Sequence, residues 1–276
     1  MKLSTVAWHA GVIAVLVVVL YPIVWVVAAT FKPSADIIGN LSLLPTEPTT
    51  GNYERAVEGM AGISIGRFFW NSTVLAVLSV VGTVASSALA GYAFARLRFR
   101  GRGAMFALMI STLLLPFHVL IIPQYAVFQK LDLIDTYVPL LLGKFLAAEA
   151  FFVFLMVQFM RTIPHELDES AKIDGAGHWG TFWHIILPLA RPALITTAIF
   201  TFIWSWNDFF GPLIYLSTPD KYPLPLALQL FVDEASGSDF GALMAMSVLA
   251  LVPVVLFFLF FQRFLVEGVS TSGLKG

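Results

Sequence analysis

The chain has 276 residues, 58% of them hydrophobic and 12% charged, with a formal net charge of −1 and no cysteine. An average soluble domain is about one quarter charged, so the composition points to lipid as the main solvent, and the missing cysteines exclude disulfides and thiolate metal sites. A net charge near zero, with no basic patch beyond those flanking apolar blocks, gives no indication of nucleic-acid binding.

The apolar residues form long blocks instead of the stripe of a surface helix, and crossing the hydrocarbon takes about 20 of them. The first block, Val6 to Ala29, is longer than the apolar core of a secretory signal, so it is expected to stay as a first span although Val27-Ala28-Ala29 is small enough for cleavage. Phe68 to Ala95 and Gly103 to Phe128 are uncharged second and third spans. The fourth, Tyr137 to Met160, is interrupted by Lys144 and Glu149. Lys144 lies near one end, where it can snorkel toward headgroups, and a spacing of five puts the two about 140° apart on a regular helix, so they are not a same-face pair. Pro192 to Tyr215 contains Asp208, and Gly241 to Phe264 closes the series with Arg263 near its end. The expectation is an all-α integral membrane protein with six transmembrane helices (6–29, 68–95, 103–128, 137–160, 192–215 and 241–264) in a single domain over 1–276.

Basic residues orient these spans. With the first residue inside, the cytoplasmic side holds Lys2, Arg96, Arg98, Arg100, Arg102, Arg161, Lys172, Arg191, Arg263 and Lys275, against Lys32, Arg55, Arg67, Lys130, Lys144 and Lys221 outside. Both termini are therefore expected in the cytoplasm. Topology alone accounts for the four arginines at 96–102.

Reactive constellations are missing. No Gly-x-x-x-x-Gly-Lys-Ser/Thr loop offers a nucleotide site, and His165-Glu166-Leu167-Asp168-Glu169 lacks the second histidine of a zinc motif. His9, His118, His178 and His184 have no ligand spacing. Neither catalytic residue, metal nor cofactor is expected on the chain. Asn71-Ser72-Thr73 matches a glycosylation triplet at the mouth of a span, where chance is the simpler account.

The segment between the fourth and fifth spans is the most informative. Pro164 suits a first helical position, Glu166, Asp168 and Glu169 crowd the positive end of the dipole, and Gly175 suits the left-handed residue beyond the last turn. Leu167, Ala171 and Asp174 share one face with Ser170 beside them, a small-residue side that permits close approach. A second amphipathic piece, Trp179 to Ile186, leads through Leu187-Pro188 to Arg191-Pro192. From composition alone the pair could equally be an interfacial helix pair lying on the membrane.

Glu169-Ser170-Ala171, Gly175 and Ile185-x-Leu187-Pro188 resemble, in every separation, the EAA loop of binding-protein-dependent ABC importer permeases, Glu-Ala-Ala-x3-Gly-x9-Ile-x-Leu-Pro. Only Ser170 departs, a small residue for a small one. Several further runs resemble the carbohydrate-uptake branch: Tyr21-Pro22, Phe31-Lys32-Pro33, Asn71-Ser72, Gly91-Tyr92-Ala93-Phe94-Ala95-Arg96, Leu115-Pro116, Ile122-Pro123, Trp206-Asn207-Asp208-Phe209 and Gln262 to Gly268 with Lys275-Gly276. The pattern is most similar to the smaller permease of a maltose-type importer.

The resemblance implies a multi-pass cell-membrane permease subunit that imports a sugar or oligosaccharide. Its implied partners are a second permease, a solute-binding protein outside and a cytoplasmic ATPase dimer that carries ATP and Mg. It makes the loop over 163–188 the ATPase-docking element: Glu169 and Asp174 for polar anchoring, Ser170, Ala171 and Gly175 for close approach, and Ile185, Leu187 and Pro188 for a stiff link to the fifth span. It also brings the outer loop near Tyr222 to Leu226 toward the binding protein. Trp206, Asn207 and Asp208 have two readings. Polar groups are costly in hydrocarbon, so they either line the solute path, Trp206 offering an aromatic face, or serve packing and interfaces.

Overall fold

The computed structural model describes residues 3–60, 62–233 and 239–270, with side chains over 6–60, 62–116, 119–231 and 239–262. The side chains of Lys2, His118 and Arg263 and the tail ending in Lys275 and Gly276 lie outside the described residues. All regular elements among the described residues are helical: α1 Leu3–Ala29, α2 Ser34–Ile37, α3 Gly51–Glu58, α4 Ile65–Arg96, α5 Arg102–Thr112, α6 Phe117–Lys130, α7 Val138–Phe145, α8 Ala150–Thr162, α9 Glu166–Ile173, α10 His178–Thr181, a π turn Phe182–Ile186, α11 Leu187–Leu189, α12 Arg191–Trp206, α13 Phe210–Tyr215, a 3-10 turn Pro219–Lys221, α14 Leu224–Asp233 and α15 Phe240–Ser270.

Among the described residues four stretches are long and apolar enough to cross a membrane: Val6–Ala29, Ile65–Arg96, Val138–Thr162 and Phe240–Gln262. A fifth is reached if His178–Leu189 and Arg191–Trp206, which meet at a 73° bend, form one broken span. The expected third span is divided between α5 and α6, because Pro116 has no N–H to continue the ladder and disfavours helical geometry at Leu115. The expected fifth span is likewise interrupted at Asn207 to Phe209.

The chain divides into two compact units, Met1–Phe69 with Leu224–Val255, and Trp70–Pro223 with Leu256–Gly276. In the first, the buried Asn52 amide donates to the carbonyls of Thr30 and Lys32, each at 2.7 Å. Arg55 donates to Asn52 Oδ1 at 2.6 Å and pairs with Asp239, and Asp239 caps α15 by accepting the Ala242 N–H. Lys32 is fully buried, yet its ammonium donates to the carbonyls of Ser42 and Asn40 and lies 5.8 Å from the Trp25 ring. These bonds supply what a buried charge requires.

The second unit is built on α4, α8 and the α10–α12 segment. Ala88, Tyr92 and Ala95 of α4 pack with Val153, Met156, Val157 and Met160 of α8 and with Phe182, Ile186, Ala190 and Ala193. Gly91 allows the close approach of α4 to α8, since a Cβ there would stand 2.5 Å from Met156 Cβ. Asn71 is buried and donates to the carbonyls of Asp220 and Tyr222, so its amide is committed within the fold.

Candidate functional site

Helix α9 stands at the centre of the segment singled out by sequence. His165 caps it, its carbonyl accepting the N–H groups of Asp168 and Glu169. Pro164 therefore lies one residue ahead of the cap instead of in the first helical position, and Ile163 before it is extended, as a residue preceding proline prefers. At the other end Gly175 has φ +83°, its N–H bonds the Lys172 carbonyl at 3.0 Å, and the Ala176 N–H reaches back to Ala171 at 2.8 Å. This bond pair is a Schellman termination.

The helix is held by Arg96, whose charge the sequence explained by topology and whose partners it did not show. The Arg96 side chain is 2% exposed and donates to Asp168 Oδ2 at 2.8 Å, the Met160 carbonyl at 2.7 Å, the Ile163 carbonyl at 2.6 Å and His165 Nδ1 at 3.0 Å. Because a guanidinium only donates, His165 Nδ1 accepts in this arrangement. One fork thus joins the end of α4 to the last turn of α8 and the first turn of α9. One helical turn earlier, Tyr92 donates to the His178 carbonyl at 3.0 Å and packs on Phe182, fixing the segment beyond Gly175. Between these anchors lies a groove of about 790 Å³, lined among others by Tyr92, Arg96, Asp168, Glu169, Lys172 and His178.

Glu169, Ser170, Asp174 and Gly175 are exposed, whereas Ala171 is buried against the chain's own helices. Ile185 and Leu187 are half-buried and Pro188 is exposed. Apolar exposure on this segment is greatest at Ile173, 86% exposed, with Trp179 and Trp183 of the amphipathic piece also exposed. Ile173 was legible in sequence only as a large apolar side chain in a polar loop.

A second cavity, about 410 Å³, lies where two helices break. Lys144 Nζ donates to Glu149 Oε1 at 2.6 Å, which corrects the expectation that a five-residue spacing keeps them apart. That expectation assumed one continuous helix, but α7 stops at Phe145, Ala147 turns through φ +54° and α8 restarts at Ala150. Lys144 therefore faces this cavity with its partner. Asp208 lines it from the second break and accepts the Gly211 N–H at 3.0 Å, and Trp204, Ser79 and Ser205 complete the polar lining. Of the other two residues expected beside the path, Trp206 is buried and stacks on Phe202, and Asn207 is exposed with its amide on the Ile203 carbonyl.

Residues 82–271 match the family described as the binding-protein-dependent transport system inner membrane component. The chain belongs to this family. It is 33% identical over 264 residues to the arabinooligosaccharides transport system permease protein AraQ of Halalkalibacterium halodurans, covering 94% of this chain and 92% of the relative. It is 33% identical over 263 residues to the diacetylchitobiose uptake system permease protein NgcG of Streptomyces coelicolor (95% and 86% covered). Over 271 residues it is 34% identical to the sn-glycerol-3-phosphate transport system permease protein UgpE of Brucella abortus (96% and 95%). The fold is similar to a chain in the crystal structure of a bacterial ABC transporter involved in the import of the acidic polysaccharide alginate, with a TM-score of 0.80, 23% identity and 94% of each chain covered.

As a membrane component of this family, the permease is a helical transport subunit, and its described residues contain no cluster of His, Cys, Asp or Glu suited to a metal ion. Tyr92 and Arg96 are four apart on one face of α4, within the family-like run Gly91 to Arg96. What sequence lacked was their partners.

Proposed function

We propose that the chain is the six-span permease subunit of an ATP-driven importer of a sugar or oligosaccharide. It would form the translocation path with a second permease, receive solute from an extracytoplasmic binding protein, and couple to a separate ATPase dimer that holds ATP and Mg. In this reading the spans are α1, α4, α5 with α6, α7 with α8, α12 with α13, and α15, in one membrane domain with both termini cytoplasmic. Relatives named for arabinooligosaccharide, galactooligosaccharide and diacetylchitobiose systems favour a carbohydrate.

The observation that carries the reading is the construction of α9. A short helix rich in acids is clamped at its first turn by Arg96, ended at Gly175, and left with Glu169, Ser170, Asp174 and the protruding Ile173 on its outer side. A rigid, exposed helix with a mixed apolar and acidic face suits insertion into a partner groove. Buried Ala171 would set how closely α9 seats on its own chain. Ile185, Leu187 and Pro188 would carry its displacement to α12. ATPase closure can shift the permease between states only through contacts that differ between them, so α9 must dock differently in each.

The test is co-purification from the native host in mild detergent. A second permease and an ATPase are expected to accompany the wild type, and Glu169→Lys and Gly175→Pro are expected to release the ATPase while the second permease stays. Retention of the ATPase by both variants would assign docking elsewhere.

A further inference from the structure

Two helix breaks converge on one cavity. The α7–α8 break brings Lys144 and Glu149 to its wall, and the α12–α13 break brings Asp208. Their depth follows from α4: Ser79, on the same wall, falls near the middle of the 32-residue helix, whose length of about 48 Å exceeds the hydrocarbon. Nonhelical backbone at membrane depth is tolerated where it is buried in protein or lines a polar cavity. Discontinuous helices also place polar groups at solute sites in other transporters. Here the cavity volume falls within the roughly 300–1,000 Å³ of small-molecule pockets.

The lining chemistry narrows the occupant. Trp204 is exposed, and its indole is buttressed by Phe151, Phe152 and Phe200, which leaves a fixed aromatic surface at the cavity. Around it stand two carboxylates, the ammonium already paired with Glu149, and the Ser205 hydroxyl, which donates to Ser79 Oγ at 3.1 Å. With all three charges present the cavity is net −1. Carboxylates accept two hydrogen bonds per oxygen and suit a ring of hydroxyl donors, while a rigid aromatic face suits the apolar face of a sugar ring. An anionic group would meet like charge without a free cation.

We propose that this cavity is a solute subsite within this subunit and that it takes one neutral glycosyl unit, Trp204 stacking on the ring and Glu149 and Asp208 accepting its hydroxyls. The inference rests on the transport reading above. It also assigns the aromatic contact to Trp204, two residues before the tryptophan that the sequence motif suggests.

The chain's lack of cysteine supplies a direct test. In the full-length chain held in lipid nanodiscs, Ser205→Cys is expected to react with a small water-soluble thiol reagent, with Ser217→Cys on the exposed outer loop as reference. A neutral arabino- or galacto-oligosaccharide at about four times its Kd should slow labelling at 205 about fivefold by occupancy, and leave labelling at 217 unchanged. sn-Glycerol-3-phosphate should slow neither, and Trp204→Ala should abolish the protection. Should Ser205→Cys fail to fold, Ser79→Cys reports on the same cavity from α4. An inert thiol at both positions, protection by the anion equal to that by the sugars, or protection surviving Trp204→Ala overturns the proposal. Uptake separates it from its premise: a host deleted for the chain that still imports every neutral probe sinks the transport reading, whereas lost uptake without protection sinks the subsite alone.

Discussion

Arg96→Met removes four hydrogen bonds and cuts the mechanical link between α4, α8 and α9. The substitution keeps a long apolar stem, so packing against the neighbouring helices is largely retained. It strands Asp168, whose side chain is 13% exposed, and the carbonyls of Met160 and Ile163. Breaking a buried ion pair by deleting one partner costs about 3–5 kcal/mol. Asp168 borders a groove open to water, so the lower end applies, about 3 kcal/mol, or roughly a hundredfold in the docking equilibrium of α9. Hydrogen exchange followed by mass spectrometry in nanodiscs reads this directly: amides of residues 168–176 should exchange roughly a hundredfold faster, while α8 away from its last turn is unchanged. Arg96→Lys should fall between the two, since one ammonium cannot span two carbonyls and a carboxylate with the geometry of a fork. Unchanged exchange over 168–176 in Arg96→Met would refute the clamp and leave α9 held by Ala171 and its neighbours alone.

Gly91→Ala should lower thermal stability in detergent by overpacking worth about 1–3 kcal/mol, and Met156→Ala should not rescue it, because the clash is with Met156 Cβ. Gly175→Ala should destabilise the end of α9 by about 1–2 kcal/mol, with Gly175→Asn milder, since asparagine tolerates the left-handed region better; amide exchange at Ala176 is the readout. Lys144→Met should destabilise more than the double change Lys144→Met/Glu149→Leu, because the single change leaves a carboxylate without its partner in a low-dielectric setting; a thermal-shift double-mutant cycle measures the difference. In the loop over 216–223, burial alone would raise the pKa of the facing Asp135 carboxyl, but bonds from Lys221, the Thr218 hydroxyl and the N–H groups of Ser217 and Thr218 hold it well below the usual carboxylate range. A depressed folded value means that its contribution is complete above the unfolded pKa of about 3.9 and is lost as pH falls through the folded one. Limited proteolysis between residues 216 and 223 should therefore stay slow at neutral pH and down to about pH 4, and be fast at neutral pH in Asp135→Asn, which preserves the left-handed backbone at this position.

Long apolar blocks identify α1, α4 and α15 without any tertiary information, because twenty uncharged residues have few alternatives to lipid. The loop over 163–188 is nearly as legible. Acids in its first turn and glycine past its last satisfy local backbone needs, and both operate within a dozen residues. Composition was weaker where helices stop inside apolar blocks. Nothing in Leu146-Ala147-Ala148-Glu149 announces a turn: alanine at φ +54° is disfavoured locally and persists because the Lys144–Glu149 pair and the bond from Ser86 to the Lys144 carbonyl hold it.

The residues read along the chain suffice to specify a multi-helix membrane chain of the importer-permease family, with a short acidic helix between its fourth and fifth apolar blocks. These properties depend on hydropathy, capping and spacing, all read along the chain. Tertiary structure alone decided that Arg96 is a clamp, that Ala171 faces inward, that Lys144 meets Glu149, and that Trp204 instead of Trp206 borders the polar cavity. Each of these depends on which residues distant in sequence, or on either side of a helix break, come within hydrogen-bonding or packing distance. A helical period carried through a break points side chains the wrong way, and only the folded chain shows where the break falls.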